Sequence, residues 1–515
     1  MTSRFFQVIT ATIATVLLAS IATSALAADA TKRPNIVIFY SDDHATSAVS
    51  AYKESRKLLD TPAIDRIANE GMRFERCLVT NSICGPSRAA TITGTYSHIN
   101  GFWNNSNSKF DGDQVTFPKL LKAGGYQTAM VGKWHLGSDP TGFDFWQILP
   151  GQGSYYNPDF IRNGEKIKVE GYVSDIIGDM SIEWLDKRDK SKPFLLMSQH
   201  KAPHREWEPA LRHLGFDNDR VYPEPSNLFD DYSGRGIAVK DQDMSLETTM
   251  TKRDLKLEAP KRLTTEQQKM WDAYYEPRNE KFIAAHLKDR ELIKWKYQRY
   301  MHDYLACVKG VDENVGRVLK KLEDDGLLEN TIVIYTSDQG FFLGEHGWFD
   351  KRWIFEESLR SPFVVRWPGV IKPGSIDTHI VSLLDVAQTF CEVAGVPAGP
   401  NMQGRSLVPL FKGESPADWR QAFYYHYYEF PAPHRVRPHE GVVTDRYKLV
   451  KYYGTGEDYT ELFDTLTDPK EMKSVYNDPA YADAKKQLTA YLARLRAELK
   501  VPETPASAHG NKPIK

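Results

Sequence analysis

The chain has 515 residues, 66 of them Lys or Arg and 68 Asp or Glu, for a formal net charge of −2. That balance excludes a dedicated nucleic-acid binder, which needs a basic excess to hold phosphates. With 41% hydrophobic and 26% charged residues, disorder is excluded as well, and the length suits two to four average domains or one large α/β domain with an appendage.

In chain order, Arg4, the apolar run Ile9 to Ile21 and the small-x-small string Ala25-Leu26-Ala27 predict a secretory signal over residues 1–27. The run is short for a bilayer span, so the mature chain is expected to be periplasmic or secreted, with no membrane contact after cleavage. Asn35 to Ser41 is a β-branched run ending in polar residues, as a buried parallel strand does. Thr61-Pro62 opens a helix through Ala68, closed by Gly71. Phe194 to Ser198 and Thr331 to Thr336 repeat the strand pattern. Between them Tyr304, Val308, Val311, Val315, Leu319 and Leu322 step by four and three along a helix. Strands alternating with helices predict an α/β sheet.

Ligands of such sheets sit beyond the carboxyl ends of the strands. Asp42-Asp43, His200 to His204 and Asp338-Gln339 are therefore expected to line a site. Residues 210–290, rich in Pro, Asp and Lys with weak periodicity, read as a surface excursion shaping its mouth. After Gly413, Ala422 to Tyr428 and Gly441 to Tyr452 read as antiparallel strands joined by a Pro/His/Arg-rich loop. A helix carrying Leu488, Leu492 and Leu495 follows. The expected division is a catalytic domain over 28–415 and a smaller α+β subdomain over 416–515, ending in a loose tail. The four cysteines, Cys77, Cys84, Cys307 and Cys391, form no C-x-x-C pair, which argues against a zinc cluster. Cys307 and Cys391 fit helical core positions, and a disulfide among the four is left open.

The most informative string runs from Ser82 to Gly94, Ser-Ile-Cys-Gly-Pro-Ser-Arg-Ala-Ala-Thr-Ile-Thr-Gly. Pro86 favours a helix start and Gly94 a helix end, which sets Cys84 at a helix N-terminus where free N–H groups attract anions. Arg88, one turn in, adds a fixed charge suited to a tetrahedral oxyanion. Read locally, the same string equally describes a buried cysteine ahead of a helix.

Cys84-Gly-Pro-Ser-Arg88 followed by Ala-Ala-Thr-Ile-Thr-Gly resembles the signature of the formylglycine-dependent (type I) sulfatases, whose cysteine is oxidised to an aldehyde after translation. Supporting motifs follow in family order: Asp42-Asp43, Gly132-Lys-Trp-His-Leu-Gly137, Gln199-His-Lys-Ala-Pro-His204, Asp338-Gln339, and Gly344-Glu-His-Gly-Trp-Phe-Asp-Lys-Arg352. The resemblance implies an alkaline-phosphatase-like fold, with a large, mostly parallel sheet flanked by helices. It implies Ca²⁺, with Mg²⁺ second, held by Asp42, Asp43, Asp338, Gln339 and the modified Cys84; these are hard oxygen ligands. Gln339 departs from the Asn or His common there. Lys133 and Lys351 are implied to bind sulfate beside Arg88, His135 to hydrogen-bond the aldehyde hydrate, and His204 to protonate the departing alcohol. His200, Lys201, Arg352, His426 and His439 are expected substrate contacts, the last two from a His/Arg/Tyr-rich cluster that equally describes a polar hairpin loop.

A sulfate ester repels oxygen nucleophiles, so cations are needed where charge concentrates in the transition state. Within the family the downstream strings look most like bacterial N-acetylglucosamine-6-sulfatases acting on glycosaminoglycans. The implied partners are a sulfated carbohydrate and a formylglycine-generating enzyme acting on Cys84. Competing readings are a sulfatase for galactose-6-sulfate or uronic-acid 2-sulfate, a phosphonate or phosphate ester hydrolase of the same superfamily, and a secreted binding protein that has lost catalysis.

Overall fold

The computed structural model describes residues 33–454 and 456–503. The predicted signal over 1–27 and most of the loose tail lie outside the described residues. Among the described residues no helix is long and apolar enough to cross a membrane.

Thirteen strands form the main sheet and a small ribbon. They are β1 Asn35–Ser41, β2 Met72–Leu78, β3 Gln127–Lys133, β4 Phe145–Leu149, β5 Asp159–Arg162, β6 Glu165–Lys168, β7 Phe194–Gln199, β8 Thr331–Ser337, β9 Phe342–Leu343, β10 Phe349–Asp350, β11 Arg360–Arg366, β12 Ser375–Asp377 and β13 Val381–Ser382. The main sheet runs β12-β2-β11-β8-β1-β7-β3-β4-β5-β6, with β13 on β2, while β9 and β10 pair apart. β1 lies at its centre, parallel to β7 and β8; β3 is parallel to β7 and β4. β11 runs antiparallel to β2 and β8, so the sheet is mixed but mostly parallel.

Alternation along β1 splits the core into two layers. Val37 and Phe39 face one cluster with α1 (Pro62–Asn69), α3 (Val173–Lys187) and α5 (Asp289–Asp324). Ile36, Ile38 and Tyr40 face the other, with α2 (Cys84–Thr93) and α6 (Asp385–Ala394). Burial on both faces explains why β1, β7 and β8 are near-continuous apolar runs.

A second sheet is antiparallel: β14 Phe423–Tyr427, β15 His439–Val443, β16 Tyr447–Tyr452 and β17 Tyr459–Asp464. The run Gly441 to Tyr452 is thus two strands, because Asp445-Arg446 makes a tight turn in which Thr444 N–H donates to the Tyr447 carbonyl at 2.9 Å. One face of this sheet packs on α7 (Ala482–Glu498) through Leu488 and Leu492. The other face packs Tyr425, Tyr427, Val450 and Phe463 against Trp348, Trp353 and Phe355. One face of the second sheet therefore packs on residues that flank Lys351 in sequence, Trp348 before it and Trp353 after it. Buried Lys448 reinforces this contact, pairing with Glu356 at 3.1 Å and Glu471 at 2.6 Å.

The excursion over 210–290 is not all irregular. It contains α4 (Thr265–Ala285), opened by a capping box between Thr264 and Gln267. Few of its residues are buried, which is why its apolar periodicity is weak. All four cysteines are buried and free.

Candidate active site

The cluster forms where β1, β3, β7 and β8 end. β1 delivers Asp42 and Asp43, β3 delivers Lys133 and His135, β7 leads to His204, and β8 delivers Asp338 and Gln339. α2 begins at Cys84 itself, and every residue of it is buried. No side chain caps it through Ile83; Asn105 Oδ1 instead accepts the Gly85 N–H at 3.0 Å. Gly94, at φ +66°, ends it as the sequence predicts.

Cys84 Sγ lies 3.3 Å from Asp42 Oδ1 and 3.9 Å from Asp43 Oδ1, and burial pushes its thiol up. Asp42, Asp43 and Asp338 present carboxylate oxygens within 4.8 Å of one another, all fully buried. Burial raises the Asp43 carboxyl above the usual carboxylate range; Lys351 opposes this and Asp338 and Asp350 add to it. Gln339 Nε2 donates to Asp43 Oδ1 at 2.5 Å, while its Oε1 is buried with no hydrogen-bond donor among the described residues. Crowded carboxylates and an orphaned amide oxygen are the donor set of a hard divalent cation, so these residues fit one.

Cations surround the carboxylates. Arg88 Nε donates to Asp338 Oδ2 at 3.1 Å, and Arg88 Nη1 to the Lys133 carbonyl at 2.8 Å and to Gln199 Oε1 at 2.5 Å. Lys133 Nζ contacts Asp42 and donates to Gln152 Oε1 at 2.5 Å. Lys351 Nζ is 2.7 Å from Asp43 Oδ2, and although burial opposes it, Asp350 and Asp43 hold its ammonium above the usual lysine range.

β3 ends at Lys133, and His135, two residues on, takes φ +55° rather than continuing the strand. His135 nevertheless faces the cluster: burial, then Lys133, Arg88, Lys351 and Lys201, hold its imidazole well below the usual histidine range. Its Nδ1 is buried without a hydrogen-bond partner among the described residues. His204 Nε2 is 3.7 Å from Asp43 Oδ2, and its Nδ1 donates to the Arg205 carbonyl at 2.5 Å, which fixes the ring. Burial, then Lys133, Lys351 and Lys201, lower its pKa well below the ordinary value.

Of the expected substrate contacts, Lys201 lines a cavity beside His204. Arg352 is a brace, at φ +91°, with Nε 3.2 Å from Asp350 and Nη1 3.1 Å from Glu429. His200 is buried, its backbone N–H donating to the Tyr40 carbonyl at 2.8 Å; burial lowers its imidazole pKa to about 4 and Asp175 of α3 opposes this. His426 and His439 are corrected. His426 is held between Tyr424 and Tyr453 hydroxyls at 2.7 and 2.6 Å and stacks on Tyr428. His439 accepts the Ile354 N–H at 3.2 Å, donates to the Arg437 carbonyl at 2.8 Å and stacks on Tyr425. Both are interior residues of the second sheet. Sequence reasoning missed Gln152 and Asn105, and gave no role to Gln199 although it opens the string Gln199 to His204; these three orient Lys133, the start of α2 and Arg88 respectively.

A buried thiol at a helix N-terminus, a carboxylate cradle and a ring of cations at the carboxyl edge of such a sheet define a sulfatase, a sulfuric ester hydrolase. The chain belongs to the sulfatase family, whose model matches residues 34–396; the model for the N-sulphoglucosamine sulphohydrolase C-terminal region matches 344–498. This family uses a formylglycine and a divalent metal. Among its relatives, the N-acetylglucosamine-6-O-sulfatase of Bacteroides thetaiotaomicron is 50% identical over 493 residues, covering 92% of this chain and 88% of that one. The N-acetylglucosamine-6-sulfatase of Homo sapiens is 27% identical over 422 residues, covering 76% of this chain and 67% of that one. A solved structure of a protein in complex with its substrate, D-glucosamine-2-N,6-O-disulfate, is 49% identical with a TM-score of 0.90, covering 93% of this chain and all of that one. The phosphonate monoester hydrolase of Silicibacter pomeroyi shares the fold, at 18% identity and a TM-score of 0.67, covering 90% of this chain and 95% of that one.

Proposed function

We propose that this chain is an exported sulfatase that removes 6-O-sulfate from N-acetylglucosamine or glucosamine units of glycosaminoglycans, with Cys84 converted to formylglycine and Ca²⁺ as its metal. The observation that carries the reading is the position of Cys84 Sγ, 3.3 Å from Asp42 and enclosed by Arg88, Lys133 and Lys351. The sugar is supported by the half-identical N-acetylglucosamine-6-O-sulfatase and the glucosamine-disulfate complex.

Asp42, Asp43, Asp338 and Gln339 would hold the cation, which with the aldehyde hydrate supplies charge for sulfate and an oxygen nucleophile. The chain's own residues do the rest. Arg88, Lys133 and Lys351 neutralise the non-bridging sulfate oxygens as the S–O bond breaks. His204, with Nδ1 tied to a carbonyl, offers Nε2 to the leaving alcohol oxygen; an arriving sulfate ester supplies the negative charge that the surrounding lysines otherwise deny its protonated form. His135, kept neutral by the same cations, accepts the proton released in regenerating the aldehyde. The catalytic unit is read as 28–415 and the smaller unit as 416–515, and a formylglycine-generating enzyme as the maturation partner.

The test is a screen of defined sulfated mono- and disaccharides with protein whose Cys84 peptide has the aldehyde mass. Sulfate release from 6-sulfated glucosamines, abolished in Cys84→Ala, is expected. Release only from galactose-6-sulfate, uronic-acid 2-sulfate or an aryl phosphonate would refute the substrate.

A further inference from the structure

Beyond His204 the cluster opens into a cavity of about 510 Å³. Gln152, Tyr155, Lys201 and His204 form its inner wall, and Arg205, Arg253, Lys261 and Arg262 line it further out, with Glu206 and Glu208 among them. Gln152 also holds Lys133, so cavity and catalytic cluster share a wall.

Most of the cations are spoken for. Arg205 pairs with Asp254 at 2.5 Å, Arg262 with Asp159 at 2.7 Å, and Arg253 with Glu206 at 2.5 Å and Glu208 at 3.3 Å. Lys201 is different. It is 4% exposed and its Nζ lies over the Tyr155 ring at 4.9 Å, yet among the described residues it makes no ion pair. Burial weakens its ammonium, and Glu208, Glu206 and Asp43 offset this only from beyond ion-pair distance, so a ligand anion in contact would relieve the remaining cost. The cavity is of a size that takes a small organic ligand, and the scissile sulfate itself is held by the cluster next door.

We propose that this cavity is the subsite for the sugar unit adjoining the 6-sulfated one, and that it selects a neighbour bearing a carboxylate or sulfate, with Lys201 as the inner anchor and Arg253 and Lys261 nearer the mouth. The proposal rests on the function read above and adds the glycan context to it. The excursion over 210–290 then has a task, since its residues Arg253 and Lys261 read the second sugar.

The experiment measures kcat/KM of the aldehyde-bearing enzyme on four substrates. These are 6-sulfated N-acetylglucosamine, N-sulfated glucosamine-6-sulfate, and 6-sulfated N-acetylglucosamine linked to glucuronic acid or to neutral galactose. A preference of about tenfold for the glucuronic-acid disaccharide over the galactose one is expected, expressed in KM, as one charge-assisted contact provides. Arg253→Gln with Lys261→Gln, both on accessible positions, should cut that preference to about twofold and leave the monosaccharide unchanged. Lys201→Met should raise KM for the charged disaccharide while sparing kcat. Equal rates on the two disaccharides would overturn the proposal, as would a double variant that slows all substrates alike. A preference seen only for the N-sulfated monosaccharide would overturn it in favour of an anion on the same sugar. Failure of the wild-type enzyme on every one of the four strikes the proposed function instead.

Discussion

Replacing Lys351 with Met separates sulfate binding from metal binding. Lys351 Nζ sits 2.7 Å from Asp43 Oδ2, and its side chain is 3% exposed. A unit-charge pair at about 4 Å and an effective dielectric near 20 interacts by ~4 kcal/mol, and breaking a buried pair typically costs about 3–5 kcal/mol. Protonation of Asp43, whose carboxyl already sits above the usual range, returns part of that. The chelator-treated variant should therefore lose about 3 kcal/mol of stability. Ca²⁺ should restore most of it, because the ion takes over the compensation of Asp43. The rise in Tm on adding Ca²⁺ should thus be larger in Lys351→Met than in the wild type. Activity should behave oppositely: at saturating Ca²⁺, kcat/KM should remain ~10²–10³ lower, the worth of one preorganised contact to developing charge. Thermal unfolding with and without Ca²⁺, alongside sulfate-release kinetics, reads both. Activity rescued by excess Ca²⁺, or a smaller Ca²⁺-induced shift in the variant, would refute the division of labour.

Four further outcomes follow from other contacts. Asp338→Asn should abolish the Ca²⁺-dependent rise in Tm, and chelation of the wild type should remove activity that Ca²⁺ restores better than Mg²⁺. Gly132→Ala should lower Tm by several degrees and activity more steeply. At φ +98° its new Cβ would lie 1.9 Å from the Gln199 carbonyl, forcing apart the strand ends that carry Lys133 and Gln199. Lys448→Met should destabilise by about 3–5 kcal/mol, with a deficit that grows from pH 5 to pH 8. Burial raises Glu471 to about 7, Lys448 opposing it, so its native-state stabilisation is present below the unfolded value and is lost as pH rises through the folded one. Removing Lys448 steepens that loss, which denaturant titration across pH would record; a pH-independent deficit would contradict it.

The fold was legible wherever one physical signal dominated. β1, β7 and β8 are buried on both faces, so their apolar runs stand out, and α5 shows its stripe because one side packs on the sheet. The cluster was legible because its residues fall immediately after those strands, in motifs of family order. What failed was the reading of histidines. His426 and His439 look like ligands in a string of letters, but whether imidazole nitrogens face a pocket or Tyr453, Ile354 and their neighbours is decided by tertiary packing. Gln152 was invisible for the converse reason, being a plain glutamine whose value lies in one contact with Lys133. The pairing that leaves Lys201 without an ion pair among the described residues, beside the engaged Arg205, Arg253 and Arg262, likewise arises only when distant segments meet.

The grip of the second sheet on Trp348 and Trp353 sets an order of events for the newborn polypeptide. Cys84 ends up buried at the root of an interior helix, so under the function proposed above its oxidation by a maturation enzyme would have to precede enclosure. The wall opposite, bearing Lys351, cannot settle until residues past 420 have emerged to support it. Almost the whole chain would then be made before the thiol disappears from view, and on that reading the delay is the interval left for its conversion.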